Sequence, residues 1–472
     1  MASENTDNKQ NSNATEELET ALYKKREKIY PREVHGIFAK LRNLAMVTLL
    51  GLFYGMPWLQ YEGHQAIVFD LPARKFYIFG WTFWPQDFIY LTALLIIAAY
   101  ALFFFTALAG RLWCGYACPQ TVWTEIFLWM ERKIEGSRQQ QMKLDKQPMS
   151  ANKFARKAGK HSAWLLFSLF TGFTFVGWFT PIDTLATDII AGNISGWGIF
   201  WILFYGFATY GNAGWMREQV CIYMCPYARF QSAMFDKDTL LIAYDENRGE
   251  PRGARKKGID PKEAGLGDCI NCGLCVQVCP TGIDIRDGLQ YQCIGCAACV
   301  DVCDDVMEKV NLPKGLVSYT TEHRLAGHKT HILRPRVIVY ATLLVVICAA
   351  LMYAVATRIP LELDIIRDRN ALYLETDEGL IENVYTLKVI NMTNEDQTYR
   401  LTAAGIEDLQ LINSAGDFLV ASGGVVEIPV RVQVDPENLK TASSEIYFNV
   451  ESLTTEGLSL EEAGRFLGPV SR

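Results

Sequence analysis

The sequence predicts a polytopic α-helical membrane protein of five transmembrane helices, with an inserted bacterial-type dicluster ferredoxin domain and a C-terminal all-β immunoglobulin-like domain. Three observations predict it. Five apolar stretches reach or approach the ~20 residues that a bilayer-crossing helix needs. Two complete Cys-x2-Cys-x2-Cys-x3-Cys runs lie between the fourth and fifth stretches. Beyond the fifth, the chain alternates apolar and polar residues in short segments separated by polar turns. The 472 residues suffice for two or three domains, and an apolar half beside 21% charged residues fits spans alternating with soluble parts.

Residues 1–42 are polar and hold eight Lys or Arg, with no short apolar region near the start, so no cleaved signal peptide is expected. The Asn/Glu/Thr-rich stretch 1–20 is expected to be disordered. The spans fall at roughly 43–60, 88–109, 162–180, 197–216 and 337–356. The first is the weakest, because Pro57 interrupts its end, but otherwise "LAMVTLLGLFYGMPWL" would be left exposed. Lys and Arg number 8 before the first span, then 2, 10, 0 and 16 in the successive connections. Positive charge marks the cytoplasmic side. The expected order is a cytoplasmic segment 1–42, a hairpin 43–109, a cytoplasmic loop 110–161, a hairpin 162–216, a cytoplasmic segment 217–336, a span 337–356 and an exported domain 358–472. That last part is acidic, with 20 Asp or Glu against 9 Lys or Arg, and segments such as "VVEIPVRVQV" (425–434) suggest a small immunoglobulin-type sandwich. A solvated exported domain and a docking module are both compatible with it.

Twelve of the thirteen cysteines lie between 114 and 303. Such clustering reads as metal ligation in a reducing compartment rather than a disulfide framework. In "CINCGLCVQVCP" (269–280) and "CIGCAACVDVCD" (293–304), three thiolates of each run reach one cubane and the fourth crosses to the other. Cys269, Cys272, Cys275 and Cys303 are therefore expected to hold one 4Fe–4S cluster, and Cys293, Cys296, Cys299 and Cys279 the second. Gly273, Gly295, Ala297 and Ala298 let the backbone approach the sulfides. Pro280 follows the first run; Asp304 replaces proline after the second, which puts the local turn in question. Structural zinc is the competing occupant, and eight cysteines in two complete runs argue against it.

"RLWCGYACPQT" (111–121) and "EQVCIYMCPYA" (218–228) repeat a Cys-x3-Cys-Pro where the second and fourth apolar stretches end. The four-residue step would set both thiols of a pair on one helix face. Pro119 and Pro226 suit the first turn of a following amphipathic helix, expected at 120–136 and 227–237. Arg111 and Arg217 precede the pairs. Two such units side by side would bring up to four thiols together. Soft thiolates suit Cu(I), and reducing Cu(II) takes one electron, which a ferredoxin cluster delivers. Zinc, a redox disulfide and packing of small apolar side chains compete with copper at Cys114, Cys118, Cys221 and Cys225. Cys348 reads as packing, as do Met216, Met224 and Met234. His323, His328 and His331 read as a solvated face more readily than a metal relay; His64 is solitary, and Asp87 reads as a helix N-cap.

Taken together, "LYKKREKIYPREVHG", "FWPQDFIYL", "LWCGYACPQTVW", "CIYMCPYARFQSAMFD", "AYDENRGEPRG" and the paired ferredoxin runs resemble the cytochrome oxidase accessory proteins called CcoG, FixG or RdxA, over nearly the whole chain. The resemblance implies a multi-pass protein of the bacterial inner membrane, with N-terminus and clusters cytoplasmic and the immunoglobulin-like domain periplasmic. It implies two 4Fe–4S clusters on the eight ferredoxin cysteines. It also implies an oxidoreductase, a cupric reductase, with copper as substrate or transient ligand at Cys114, Cys118, Cys221 and Cys225. The expected partners are the lipid bilayer, copper-transport and cbb₃-type oxidase assembly proteins, and an unidentified electron donor; a homo-oligomer is compatible with this and no nucleic acid is expected. Two other readings stand beside it: a quinol-oxidising membrane ferredoxin subunit, and an assembly scaffold acting through the immunoglobulin-like domain.

Overall fold

The structure, a computed structural model, describes residues 28–61, 63–254, 265–412 and 416–469. The disorder expected for 1–20 lies outside the described residues. The chain divides into two compact units. One comprises Met1–Thr48, Phe105–Phe167 and Ala208–Ile332; the other comprises Leu49–Phe104, Ser168–Phe207 and Leu333–Arg472.

Among the described residues, three helical stretches are long and apolar enough to cross a membrane: Ile37–Trp58, Pro85–Ala109 and Pro335–Ala356. At 1.5 Å per residue, the 22-residue helix Phe88–Ala109, which has no charged side chain, matches a ~30 Å hydrocarbon core. The other two expected spans look different. The third falls in the C-terminal part of the 27-residue helix Ala151–Gly177, whose first ten residues include Lys153, Arg156, Lys157 and Lys160. The fourth continues from Gly196–Thr209 through a π-turn, Tyr210–Met216. With Ile182–Ala191 it forms a pair bent by 106°, either a broken span or a re-entrant loop.

The first unit contains the ferredoxin insert. Antiparallel strands Leu241–Tyr244 and Val317–Thr320 close it, with Ile242 opposite Tyr319. Between them the two cysteine runs repeat one backbone plan. Asn271 and Gly295 both take positive φ, as do Gly273 and Ala297, at matching places in the runs. Each run then enters a helix, Leu274–Gln277 or Ala298–Lys309. Asp304 settles its turn differently from a proline. It lies inside the second helix, and its side chain accepts the N–H of Gly315 (2.8 Å). The helix therefore runs on to Lys309.

In the second unit, Ile67–Asp70, Lys75–Ile78 and Trp81–Phe83 form a three-stranded antiparallel meander that alternation alone does not announce. Asp87 is not the N-cap expected: it is the third residue of the turn Pro85–Asp87, its side chain reaches back to accept the N–H of Trp84 (2.9 Å), and it also pairs with Arg358 (2.5 Å). The C-terminal domain is a sandwich. One sheet orders its main strands as Gln410–Ile412, Val425–Val434, Ile381–Asn391 and Leu361–Arg367; the other orders Asp417–Val420, Gln397–Ala404, Ser443–Ser452 and Ser459–Leu467. Period-two burial follows the expected segments: Val430, Val432, Ile446 and Phe448 face inward, and Arg431 and Tyr447 outward. Tyr385, Tyr399, Phe448 and Phe466 are fully buried between the sheets.

Candidate metal and electron-transfer site

All twelve clustered cysteines lie in the first unit, and none of them is in a disulfide. The ferredoxin cysteines gather around two small cavities. One small cavity is lined by Cys269, Cys272, Cys275 and Cys303. A second is lined by Cys279, Cys293, Cys296 and Cys299, with Cys275 at its margin. Each cavity takes its fourth sulfur from the other run, as two cubanes require. The walls are apolar: Val302, Val306, Met307 and Leu316 around the first, Ile242, Ile285 and Ile294 around the second. These donor sets and their dry walls fit two 4Fe–4S clusters.

The two Cys-x3-Cys-Pro repeats share a local geometry that differs from the expected single helix face. The first pair straddles two helices. Cys114 sits in Leu112–Tyr116, and Cys118 is the extended residue that opens Pro119–Glu135. Likewise Cys221 lies in the π-turn Val220–Met224, and Cys225 opens Pro226–Ser232. The second helix is shorter than expected. In both repeats the second cysteine donates its N–H to the carbonyl five residues back. Cys118 reaches Trp113 (2.9 Å) and Cys225 reaches Val220 (2.8 Å). Proline follows because its missing N–H costs nothing at a helix start.

The four thiols lie within one another's electrostatic field. Burial pushes Cys114 up to about 12, and Cys118, Cys221 and Cys225 would each add repulsion. Burial pushes Cys221 up to about 11, with further repulsion from Cys118 and Cys225. Cys118 is also raised by burial, against N–H groups of Thr121 and Gln120 that favour its thiolate. Such thiols stay protonated unless a metal takes the proton's place. The Cys114 thiol donates to Gln231 Oε1 (3.4 Å), and Gln231 is completely buried. Among the described residues, no three His, Cys, Asp or Glu side chains converge on one ion position. His323, His328 and His331 form no such group; His323 Nδ1 instead lies 2.8 Å from Asp238. Met234 is buried, as packing requires, whereas Met224 is exposed.

Backbone contact joins the first repeat to the second ferredoxin run. A Cβ added at Gly115 would lie 2.8 Å from the Gly295 carbonyl oxygen and 3.0 Å from the Cys296 Cα. Only a residue without a side chain lets these chains approach so closely. Arg111 then ties three segments together. Its guanidinium donates to the carbonyls of Tyr291, Cys293 (3.1 Å) and Ala228, while only 6% of the residue is exposed. Arg42 donates to the Cys296 carbonyl. Asp301 accepts the N–H groups of Phe38 (3.1 Å) and Ala39 (2.7 Å), so the ferredoxin helix caps the N-terminus of Ile37–Gly55.

Arg217 precedes the second repeat, four residues before Cys221 where Arg111 is three before Cys114, and does other work. It pairs with Glu131 (2.7 Å), which also meets Lys160 (3.3 Å) and Lys28 (3.4 Å). Burial alone would raise the Glu131 carboxyl; Arg217, Lys28 and Lys160 outweigh it and hold the group at about 2. Glu135, completely buried, meets Lys160 (2.9 Å) and Lys157 (3.0 Å). Sequence patterning barely announces this ionic core. Its only trace was "ERKIE" (131–135) on a helix otherwise read as interfacial. Also unforeseen is an open cavity of about 220 Å³ that reaches both Cys221 and Cys296. Arg32, Lys40, Arg42 and Arg132 line it, with His35 and Glu125.

Comparison with known proteins accords with this geometry. Residues 216–322 match the 4Fe-4S dicluster domain family, and residues 90–136 match a 4Fe-4S binding domain family. Residues 351–469 match the IG-like fold at the C-terminal of FixG. The chain is 40% identical to Protein RdxB of Cereibacter sphaeroides over 83% of its own length and 85% of that protein's. It is 39% identical to Protein RdxA of the same organism over 82% and 85% of the two chains. It is 37% identical to the nitrogen fixation protein FixG of Rhizobium meliloti over 82% and 80%.

Proposed function

This chain belongs to the FixG/RdxA family of iron–sulfur electron-transfer proteins, and from that premise we propose that it reduces Cu(II) to Cu(I) for assembly of a cbb₃-type cytochrome oxidase. The reaction takes place on the cytoplasmic side of a bacterial inner membrane. Five spans, a cytoplasmic ferredoxin insert and a periplasmic sandwich follow from the Lys/Arg alternation. Copper-transport and oxidase-assembly proteins would receive the product.

The observation that carries this reading is the backbone contact of Gly115 with Gly295 and Cys296. It brings the first thiol repeat against the second cysteine run, and this supports the reading. The clusters, when bound, take up and pass on single electrons. The protein's own residues shape the rest of the path. Arg111 bonds the carbonyls of Cys293, Tyr291 and Ala228, so one side chain links the ferredoxin run and both thiol repeats. Cys114, Cys118, Cys221 and Cys225 form the exit, where one electron converts Cu²⁺ to Cu⁺. A sulfur-rich surface favours the softer product ion and so the forward direction.

The test is anaerobic Cu(I) formation by membranes, read with a Cu(I)-specific chelator. Cys114→Ser/Cys118→Ser is expected to lose at least about tenfold in rate while the dicluster EPR signal persists. An unchanged rate would remove the role of the thiol exit.

The cavity favours a second reading. Because it reaches Cys296 as well as Cys221, a quinol could deliver electrons there, making the chain a quinol-oxidising ferredoxin subunit. Anaerobic quinol that bleaches the clusters without copper present supports it; clusters that stay oxidised dismiss it.

A further inference from the structure

We propose that Cys114, Cys118, Cys221 and Cys225 together hold a third 4Fe–4S cluster. This goes beyond the reading above, which requires only that electrons leave through these thiols.

Four observations carry it. First, the two repeats supply ligands in equal pairs from equal turns, each closed by an N–H bond to the carbonyl five residues back. A cubane takes one thiolate on each of its four irons, so two matched pairs make a complete set. Second, the two repeats lie side by side: the Cys114 thiol donates to Gln231 Oε1 (3.4 Å) and Arg111 donates to the Ala228 carbonyl, both on the short helix that Cys225 opens.

Third, the stretch that matches a 4Fe-4S binding domain family, 90–136, contains Cys114 and Cys118 and none of the eight ferredoxin cysteines. Two thiolates leave a cubane half-ligated, and the neighbouring repeat provides the other two. Fourth, the surroundings suit a bound anionic cluster. Cys118 stands at the N-terminus of the 17-residue helix Pro119–Glu135, where the helix dipole favours negative charge. The buried Arg111 guanidinium, bonded to the Ala228 carbonyl of the second repeat, adds a positive charge. With Gly115 pressed on the Cys296 backbone, this cluster would directly adjoin the second ferredoxin cluster. Copper would then be reduced at the edge of the third cluster instead of being ligated by its thiolates.

The test is iron and acid-labile sulfide per chain in the full-length protein, purified and reconstituted anaerobically. Wild type is expected to hold about twelve irons, against about eight for two clusters alone. Cys114→Ser/Cys118→Ser and Cys221→Ser/Cys225→Ser should each fall to about eight, and the fourfold variant should fall no further. Losses by the two pairs that summed would mean separate sites and overturn the proposal. So would about eight irons in wild type, unchanged in the variants. If the variants fail to fold, a redox titration of wild type decides: three one-electron steps support the third cluster and two overturn it. Copper reduction is measured on the same samples. It can persist at eight irons, so failure of this proposal is distinct from failure of the reductase reading.

Discussion

Arg111 and Arg217 each precede a repeat, yet one serves backbone carbonyls and the other a buried carboxylate. The Arg111 fork spans three acceptors from two chain segments. A lysine carries the charge but cannot bridge them, and each buried carbonyl left unpaired costs about 1–3 kcal/mol. Arg111→Lys is therefore expected to lower stability by about 2–4 kcal/mol, seen as earlier thermal bleaching of the iron–sulfur absorbance. Glu131 is the charge on which Arg217, Lys160 and Lys28 converge. Its folded-state value of about 2 lies below the ordinary 4.5, so its contribution is complete above about 4.5 and is lost as pH falls toward 2. Glu131→Gln should destabilise by about 3 kcal/mol at neutral pH. The gap between variant and wild type in detergent unfolding should close as pH falls from 4.5 toward 2. A gap independent of pH would show that the charge is not what matters.

At the scale of elements, the contact between the helix Leu112–Tyr116 and the second cysteine run depends on one missing side chain. Gly115→Ala would press a Cβ onto the Gly295 oxygen and the Cys296 Cα, both backbone atoms that cannot rotate away. The two ferredoxin clusters should survive, while electron transfer to the thiol exit slows by about tenfold or more, read as slower cluster reoxidation by Cu(II). Ligand spacing made the cysteine runs legible, and alternation made the main sandwich strands legible, because both are local patterns. The helix cap that Asp301 supplies to Phe38 and Ala39 joins residues more than 250 positions apart, and no local pattern announces it. The third expected span was harder to read for another reason. Its helix begins well before the apolar stretch, with Lys157 and Lys160 turned toward buried carboxylates. The four-residue cysteine step was legible as a repeat but not as a shape. A helix face was expected, and the residue before each proline adopts an extended backbone instead.

For the whole molecule, all twelve clustered cysteines fall in one compact unit and the sandwich in the other. Deleting 358–472 is accordingly expected to leave iron content and copper reduction in membranes within about twofold of wild type. Oxidase maturation should fail if the sandwich docks a partner. Loss of the clusters on deletion would show that the domain supports the insert. The central claim is that ferredoxin run and thiol repeats form one electron path. Rapid-freeze EPR tests it most directly, on protein reduced anaerobically and mixed with stoichiometric Cu(II). The account predicts that reduced-cluster and Cu(II) signals vanish together in wild type, while in the variant with serine at 114, 118, 221 and 225 the ferredoxin signal persists beside unreduced copper. Equal rates in the two proteins would contradict it.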